Sequence, residues 1–305
     1  MLRVVQLGAL ARSGETLLLR ALAAHPQVHV VHDLHAVNHP ADQALYHFLR
    51  VWPAPTVPRW QLDRHLAPGR VPASAQVLLL KQGVFSPRHN VAGFGLLRNP
   101  YAVFASLWSY DALLADQVPT MALNHSYWQC LRLPRLLVWA EAMQPGLAQA
   151  IHAETDPVRQ FLVFWRERAQ QLQRRFSTLV HYERFVRDPQ TELHRICAAL
   201  GLPFETAMLR SHEAYAPGER GHGGIELSAP IRPASAWKAT SLVDLAPFIA
   251  EVDEGPVDLY RGLYSVAPAG FAPARGQQRL LVSLSTAYQF RRSKFPSKGS
   301  SSAFG

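Results

Sequence analysis

The sequence predicts an α/β protein in which a central parallel sheet lies between two layers of helices. Short apolar runs alternate along the chain with longer segments whose apolar residues recur at helical spacing. Such alternation is typical of parallel sheets that are covered by helices on both faces. The 305 residues are 48% hydrophobic, which is enough for a sizeable core.

The predicted strands are short apolar runs that end at polar or turn residues. The first contains Val4-Val5-Gln6-Leu7, and the third contains Val77-Leu-Leu-Leu80 followed by Lys81. Another ends before Asn99-Pro100, a pair that stops a strand and starts a helix. The full set of predicted strands covers residues 3–7, 28–32, 77–81, 93–98 and 177–182.

The predicted helices begin at the first glycine turn, where Gly14 precedes the apolar face made by Leu17, Leu18 and Leu22. They lie near residues 14–24, 41–50, 100–114, 126–147, 156–175, 189–200 and 241–251. We expect one domain over 1–265, then a linker and short helix over 266–290. A basic, Gly/Ser-rich tail over 291–305 is expected to be disordered.

Composition narrows the classes of function. The net charge of +9 suits a polyanionic ligand, but no motif that reads nucleic acid is present. Without an apolar run of transmembrane length or a leader pattern, we expect a cytoplasmic protein. The two cysteines, Cys130 and Cys197, indicate no disulfide framework, and the scattered histidines predict no metal site.

The segment from Gly8 to Gly14 links the first strand to the first helix. Backbone N–H groups converge at such a turn, and the helix dipole favours negative charge, so we expect a phosphate site of the P-loop nucleotide-binding type. The ATP/GTP pattern G-x-x-x-x-G-K-[ST] is not met, because the loop has one residue too many and Glu15 replaces the lysine. A P-loop kinase is therefore the less favoured alternative.

Three motifs resemble those of sulfotransferases that use 3′-phosphoadenosine 5′-phosphosulfate (PAPS). Arg12-Ser-Gly-x-Thr-Leu17 is similar to the family's 5′-phosphosulfate loop. Arg98-Asn-Pro, with Ser106 eight residues after the arginine, is similar to its 3′-phosphate motif, although Asn99 replaces the usual Asp. The segment 179–189 resembles the family's strand that ends in Y-E-x-(L/F)-V-x-x-P. The later Leu200-Gly-Leu-Pro resembles the L-G-(L/I)-P sequence that follows the next short helix in the family. The spacing between Arg12 and Asp33 is nearest to that of the tyrosylprotein sulfotransferase type.

The resemblance implies roles for particular residues. Lys81, at a strand end, would stabilise the charge on the leaving group. Arg12 would be a second catalytic cation. Asp33 follows Arg12 by twenty-one residues, the spacing at which the family places a glutamate base, and the neighbouring His32 stays open as an alternative base. The implied contacts to PAPS come from Arg12, Ser13, Gly14, Thr16, Leu17, Arg98, Ser106, Tyr182, Arg232 and Lys238.

Two further features bear on activity. The irregular segment 221–238 resembles the loop that closes over the nucleotide 3′-phosphate, with Ser228, Arg232 and Lys238 as candidate contacts. Glu15 stands where the family usually has Ser or Thr: pointing inward it would weaken cofactor binding, and pointing outward it would favour the helix N-terminus. We therefore expect sulfuryl transfer from PAPS to an acceptor hydroxyl of a glycan, small molecule or tyrosine. The alternative is a noncatalytic nucleotide- or polyanion-binding member of the same fold.

Overall fold

A parallel sheet forms the centre of the molecule. The computed structural model describes residues 1–31, 40–65, 70–82, 91–100, 102–104, 106–107, 128, 132–221 and 225–232. Within these residues the strands are β1 (Leu2–Ala9), β2 (Val28–Val31), β3 (Thr56–Val57), β4 (Val77–Gln82), β5 (Gly93–Leu97) and β6 (Leu179–His181). Five of them are parallel in the order β2-β4-β1-β5-β6, and the short β3 pairs antiparallel with β1.

The strand order places a switch point beside β1. From β1 the chain first goes to β2 at one edge of the sheet, then returns to form β4 between β2 and β1, and it then crosses to β5 and β6 on the other side. β1 and β5 are hydrogen-bonded neighbours whose last paired residues are Ala9 and Leu96. Because the connections after these two strands lead to opposite sides of the sheet, the space beyond their carboxyl ends (the crevice between β1 and β5) is the place where ligands of such sheets bind.

Helices cover both faces of the sheet. The chain forms α1 (Glu15–Ala23), α2 (Pro40–Val51), α3 (Arg59–His65), α4 (Leu133–Met143), α5 (Leu147–Ala153), α6 (Pro157–Arg175), α7 (Tyr182–Arg187) and α8 (Pro189–Leu200). One face carries α1, α7 and α8 in a single apolar cluster. On the other face, α4–α6 pack over the β5 side and α2 with α3 over the β2 side. The predicted three-layer α/β/α architecture is confirmed.

Local sequence explains where the two long helices of the later part begin and end. The Asp156 side chain caps α6 by accepting from the N–H groups of Val158 and Arg159, and Pro157 stands at its first turn. Asp188 caps α8 in the same way through Thr191, and Gly201, with φ of 63°, ends it. The predictions for 156–175 and 189–200 are therefore correct to about one residue.

Other predicted elements are wrong in part. The single helix predicted over 126–147 is interrupted in the structure, where α4 ends at Met143 and α5 begins after Gly146 with φ of 82°. The strand predicted over 177–182 ends at His181, where the helix Tyr182–Arg187 begins. This helix was not predicted because it is too short to show helical periodicity. Helices α3 and α5 and the strand β3 were not predicted. The helices expected at 241–251 and within 266–290, and the tail, lie outside the described residues.

Candidate functional site

The loop between β1 and α1 (residues 10–14, the β1–α1 loop) lies at the carboxyl end of the central strand. The Ser13 N–H donates to the Leu10 carbonyl at 3.1 Å, and Arg12 and Gly14 have positive φ values of 74° and 100°. These left-handed residues turn the chain sharply into the N-terminus of α1. The loop thereby places backbone N–H groups at a helix N-terminus, the arrangement that binds anions.

Gly14 is required by its neighbour as well as by its backbone. A Cβ atom at this position would lie 2.1 Å from the aromatic ring of Tyr182, the first residue of α7. No other residue type fits both this contact and the positive φ. The Tyr182 ring therefore packs directly against the β1–α1 loop.

The segment after β5 supplies the second half of the site. The Asn99 side-chain oxygen accepts from the Ala102 N–H at 3.3 Å and so caps the helical residues that follow Pro100. Asparagine performs here the capping that the usual aspartate of the motif would perform. Arg98 is 4% exposed and Ser106 is 6% exposed, so both polar side chains are buried near the strand end.

The two segments meet in the crevice between β1 and β5. Arg12 Nε donates to Ser106 Oγ at 3.2 Å, and Arg98 Nη1 donates to the Arg12 carbonyl oxygen at 3.1 Å. The Arg98 guanidinium also lies 4.5 Å from the centroid of the Tyr182 ring. Residues that are more than 80 positions apart in sequence therefore form one contact group with two guanidinium cations and a hydroxyl.

Helix α6 supports both strand ends from below. Arg168 donates through Nε and Nη2 to the carbonyl of Ala9, at 3.3 Å and 3.1 Å, and Trp165 Nε1 donates to the carbonyl of Arg98 at 3.2 Å. Burial lowers the pKa of Arg168 to about 10, which leaves the guanidinium protonated at neutral pH. One turn of one helix thus fixes the end of β1 and the start of the Arg98 segment.

A carboxylate lies inside the β1–α1 loop. Glu15 is 5% exposed, and its Oε2 accepts from the Gly14 N–H at 3.0 Å. Its Oε1 lies 3.7 Å from Nζ of Lys81, at the carboxyl end of β4. The Glu15 side chain points inward, so this acid adds negative charge at the predicted anion site.

A second buried acid stands behind Arg98. Glu183 Oε1 accepts from the Asn99 N–H at 2.9 Å, while its Oε2 has no hydrogen-bond partner. Burial raises the pKa of Glu183, and the Asn99 hydrogen bond and the Arg98 charge oppose that rise. This acid joins α7 to the segment after β5 and so holds Arg98 close to Tyr182.

The remaining predicted site residues divide into three groups. Ser13 is buried within the loop, Leu17 is buried in α1, and Thr16 is partly exposed in the first turn of α1. Arg232 is exposed at the end of the described segment 225–232. Asp33, His32 and Lys238 lie outside the described residues. The described residues hold no group of three His, Cys, Asp or Glu side chains placed to bind a metal ion.

Three charged residues of this region were missed from the sequence. Arg168 falls at helical spacing among buried Phe161, Phe164, Trp165 and Leu172, and a charge on an apolar helix face is a signal that was available. Arg20 likewise interrupts the apolar face of α1. Glu183 is the acid of the Y-E-x-(L/F)-V-x-x-P match, a signal that was available, but the pattern of its short helix does not show which segment it contacts.

Comparison with known proteins finds similarity only among solved structures. No model of a protein family and no curated protein matches the chain. A sulfotransferase domain from the curacin biosynthetic pathway is 18% identical, with a TM-score of 0.39, over 93% of this chain and 97% of that domain. A sulfotransferase domain from the Synechococcus PCC 7002 olefin synthase is 17% identical, with a TM-score of 0.34, over 93% and 94%. Since both TM-scores are low, the fold is defined here by the sheet order and helix layers.

Among the described residues, no helix has both the length and the apolar character that a membrane span needs.

Proposed function

We propose that this chain is a sulfotransferase that moves a sulfuryl group from PAPS to an acceptor hydroxyl. The observation that carries the proposal is the meeting of Arg12, Arg98 and Ser106 in the crevice between β1 and β5. Two arginines and a hydroxyl at a switch point form a donor set suited to phosphate groups. A nucleotide with phosphates at both the 5′ and 3′ positions matches a site built from two such segments.

The donors fit the nucleotide in part. Arg98 and Ser106, buried at the end of β5, suit the 3′-phosphate, as the motif they form implies. The β1–α1 loop suits the 5′ end, because its tight turn requires Gly14 and directs N–H groups outward from α1. The Glu15 carboxylate, which accepts from the Gly14 N–H, must leave that position before an anion takes it.

The residues around the crevice suggest how transfer would be assisted. PAPS supplies a sulfuryl group that passes from its 5′-phosphate to the acceptor oxygen, and the electron pair of the broken bond stays with the phosphate. Lys81, at the end of β4, would stabilise the charge that develops on the leaving oxygen. Asp33 would take the acceptor's proton, a role that rests on its spacing from Arg12 and on the resemblance.

A noncatalytic nucleotide- or polyanion-binding protein is the second candidate, and Glu15 is the observation that favours it. A carboxylate in the loop opposes the binding of a phosphosulfate and pairs with the lysine that transfer needs. A kinase is less favoured because Glu15 stands in place of the phosphate-binding lysine.

Binding measurements test the nucleotide part of the proposal. We expect isothermal titration to show binding of adenosine 3′,5′-bisphosphate and no comparable binding of ATP. Arg98→Ala should weaken bisphosphate binding by about a hundredfold, since it removes a buried charge-assisted contact. Arg174→Ala is the matched control, because Arg174 is an exposed arginine paired with Glu167 on α6. Preference for ATP would contradict the proposal.

Transfer itself is tested with PAPS carrying radiolabelled sulfate and a panel of glycan, small-molecule and tyrosine-peptide acceptors. We expect label on one acceptor class and at least a hundredfold slower transfer by Lys81→Ala. Tight nucleotide binding with no transfer to any acceptor would instead support the noncatalytic candidate.

A further inference from the structure

We infer that Glu15 is a tethered competitor for the 5′ end of the nucleotide, so that it sets the affinity and ligand preference of the β1–α1 loop. This inference rests on the proposed function, since it concerns the site at which the nucleotide would bind. It starts from a single side chain that folds back onto its own loop. Glu15 begins α1, and its carboxylate turns toward the residue before it rather than toward solvent.

The contacts of Glu15 are those that an incoming phosphate would make. Its Oε2 accepts from the Gly14 N–H at 3.0 Å, the amide that stands at the N-cap of α1. Its Oε1 lies 3.7 Å from the Lys81 ammonium. A carboxylate at a helix N-terminus is stabilised by the same dipole and donors that stabilise a bound anion. Glu15 therefore holds part of the anion position from within the chain.

Tethering makes this competition effective. A group attached to the loop has a high effective concentration at its own contact point, so an external anion competes against it at every concentration. If the carboxylate stays in place while phosphate binds, the two like charges repel. If it swings out, its buried hydrogen bond and its contact with Lys81 are lost. Either route lowers affinity for the 5′-phosphate.

Displacement of Glu15 would also change the partner of Lys81. In the structure the Lys81 ammonium lies next to the Glu15 carboxylate, which offsets part of its charge. Once Glu15 leaves, that charge faces the nucleotide instead. Glu15 thus weakens binding of the 5′ end of the nucleotide and stabilises the site when no ligand is bound. Removing its charge should therefore stabilise the ligand-bound form and destabilise the ligand-free form.

Glu15→Gln is the direct test, because it removes the charge and keeps the size and an accepting oxygen. The probes are adenosine 3′,5′-bisphosphate and adenosine 3′-monophosphate, measured by isothermal titration against the full chain. We expect Glu15→Gln to bind the bisphosphate at least about tenfold tighter than the unmodified chain, the scale of one charge-assisted contact. Its affinity for the 3′-monophosphate should change less than twofold, because that ligand has no 5′-phosphate to compete for the Gly14 N–H.

Glu192→Gln is the matched control. Glu192 is a buried glutamate of α8 that pairs with Arg195, away from the crevice. Its variant should bind both probes as the unmodified chain does. Glu15→Thr, which places the family's residue type in the loop, repeats the test if Glu15→Gln does not fold by circular dichroism.

The outcomes separate the inference from the proposed function. Equal binding of the bisphosphate by the unmodified chain and by both Glu15 variants would overturn the inference and leave the proposed function standing. Weaker binding by the variants would overturn it as well, because Glu15 would then assist the ligand. If neither the unmodified chain nor any variant binds the bisphosphate, the proposed function fails, and the inference fails with it.

Discussion

Buried charged side chains explain how this site is assembled, and each has a partner that lies far away in sequence. Arg98 reaches the Arg12 carbonyl, Glu183 accepts from the Asn99 N–H, and Arg168 donates to the Ala9 carbonyl. A buried ion is stable only where such partners meet it. The charged residues thus specify which loops lie next to one another at the end of the sheet.

His181, the last residue of β6, provides a prediction on pH. Burial, together with the nearby charges of Arg184 and Arg195, lowers the pKa of His181 to about 4 from a usual 6.5. The unfolded chain takes up this proton as pH falls below 6.5, while the folded chain resists it until about pH 4. We therefore expect the stability from neutral His181 to be complete above pH 6.5 and to fall between pH 6.5 and 4.

Urea unfolding across this pH range measures the effect. His181→Gln should show a smaller loss of unfolding free energy on acidification than the unmodified chain. A residual slope should remain, because burial also lowers the pKa of His29. His152→Gln, at an exposed position of α5, should follow the unmodified chain. Identical slopes for all three proteins would show that His181 does not titrate as described.

Helices and strands in this molecule bring loop residues together by their packing rather than by their own sequence preference. α6 places Trp165 and Arg168 one turn apart and so holds the ends of two neighbouring strands. α7 begins with the Tyr182 ring against Gly14 and continues with Glu183 against Asn99. The loops are therefore supported by α6, which carries no predicted site residue, and by α7, of which only Tyr182 was predicted as one.

Gly14→Ala tests the contact between the β1–α1 loop and α7. An alanine at this position must keep the positive φ, which costs about 1 kcal/mol or more. Its Cβ atom must also displace the Tyr182 ring. We expect a loss of stability clearly larger than this strain alone, together with loss of bisphosphate binding. Chemical unfolding and isothermal titration measure the two effects.

Gly146→Ala is the matched control for strain. Gly146 has φ of 82° and precedes α5, and an added Cβ there meets nothing within 4 Å. Its variant should lose only about 1 kcal/mol and bind nucleotide normally. If the two variants lost equal stability and both bound nucleotide, close packing against Tyr182 would not be what requires glycine at the loop.

Across the whole chain, Arg20 connects the first helix to the last described segment. Its Nη1 donates to the carbonyls of Leu227 and Ala229, at 2.6 Å and 2.7 Å, from more than 200 residues away. Burial lowers the pKa of Arg20. This contact ties the segment 225–232, which carries Arg232, to the helix that begins at the β1–α1 loop.

Arg20→Met tests this long-range connection. It leaves two carbonyls without their donor, so we expect a loss of about 2 kcal/mol or more in unfolding free energy and faster hydrogen exchange in 225–232. Arg59→Met is the control, because Arg59 donates to carbonyls of the nearby segment 71–75. Faster exchange in 225–232 for both variants would mean general destabilisation rather than loss of a specific tether.

Much of the architecture and part of the site follow from the sequence alone. Alternating apolar runs and amphipathic segments predict the parallel sheet and its covering helices, because burial of one face requires those periods. The strand-turn-helix at Gly14 and the Asn99-Pro100 turn locate Arg12, Arg98 and Ser106, since local chain geometry determines where such turns form.

Other features depend on contacts between distant parts of the chain, and local patterns carry no record of these. The order β2-β4-β1-β5-β6 sets β5 beside β1, and only then does Arg12 reach Ser106. The inward Glu15 carboxylate meets Lys81 because the parallel pairing of β4 with β1 brings the end of β4 to the loop. Each of these outcomes arises from packing and charge between segments, whereas the sequence pattern reports only what each segment buries by itself.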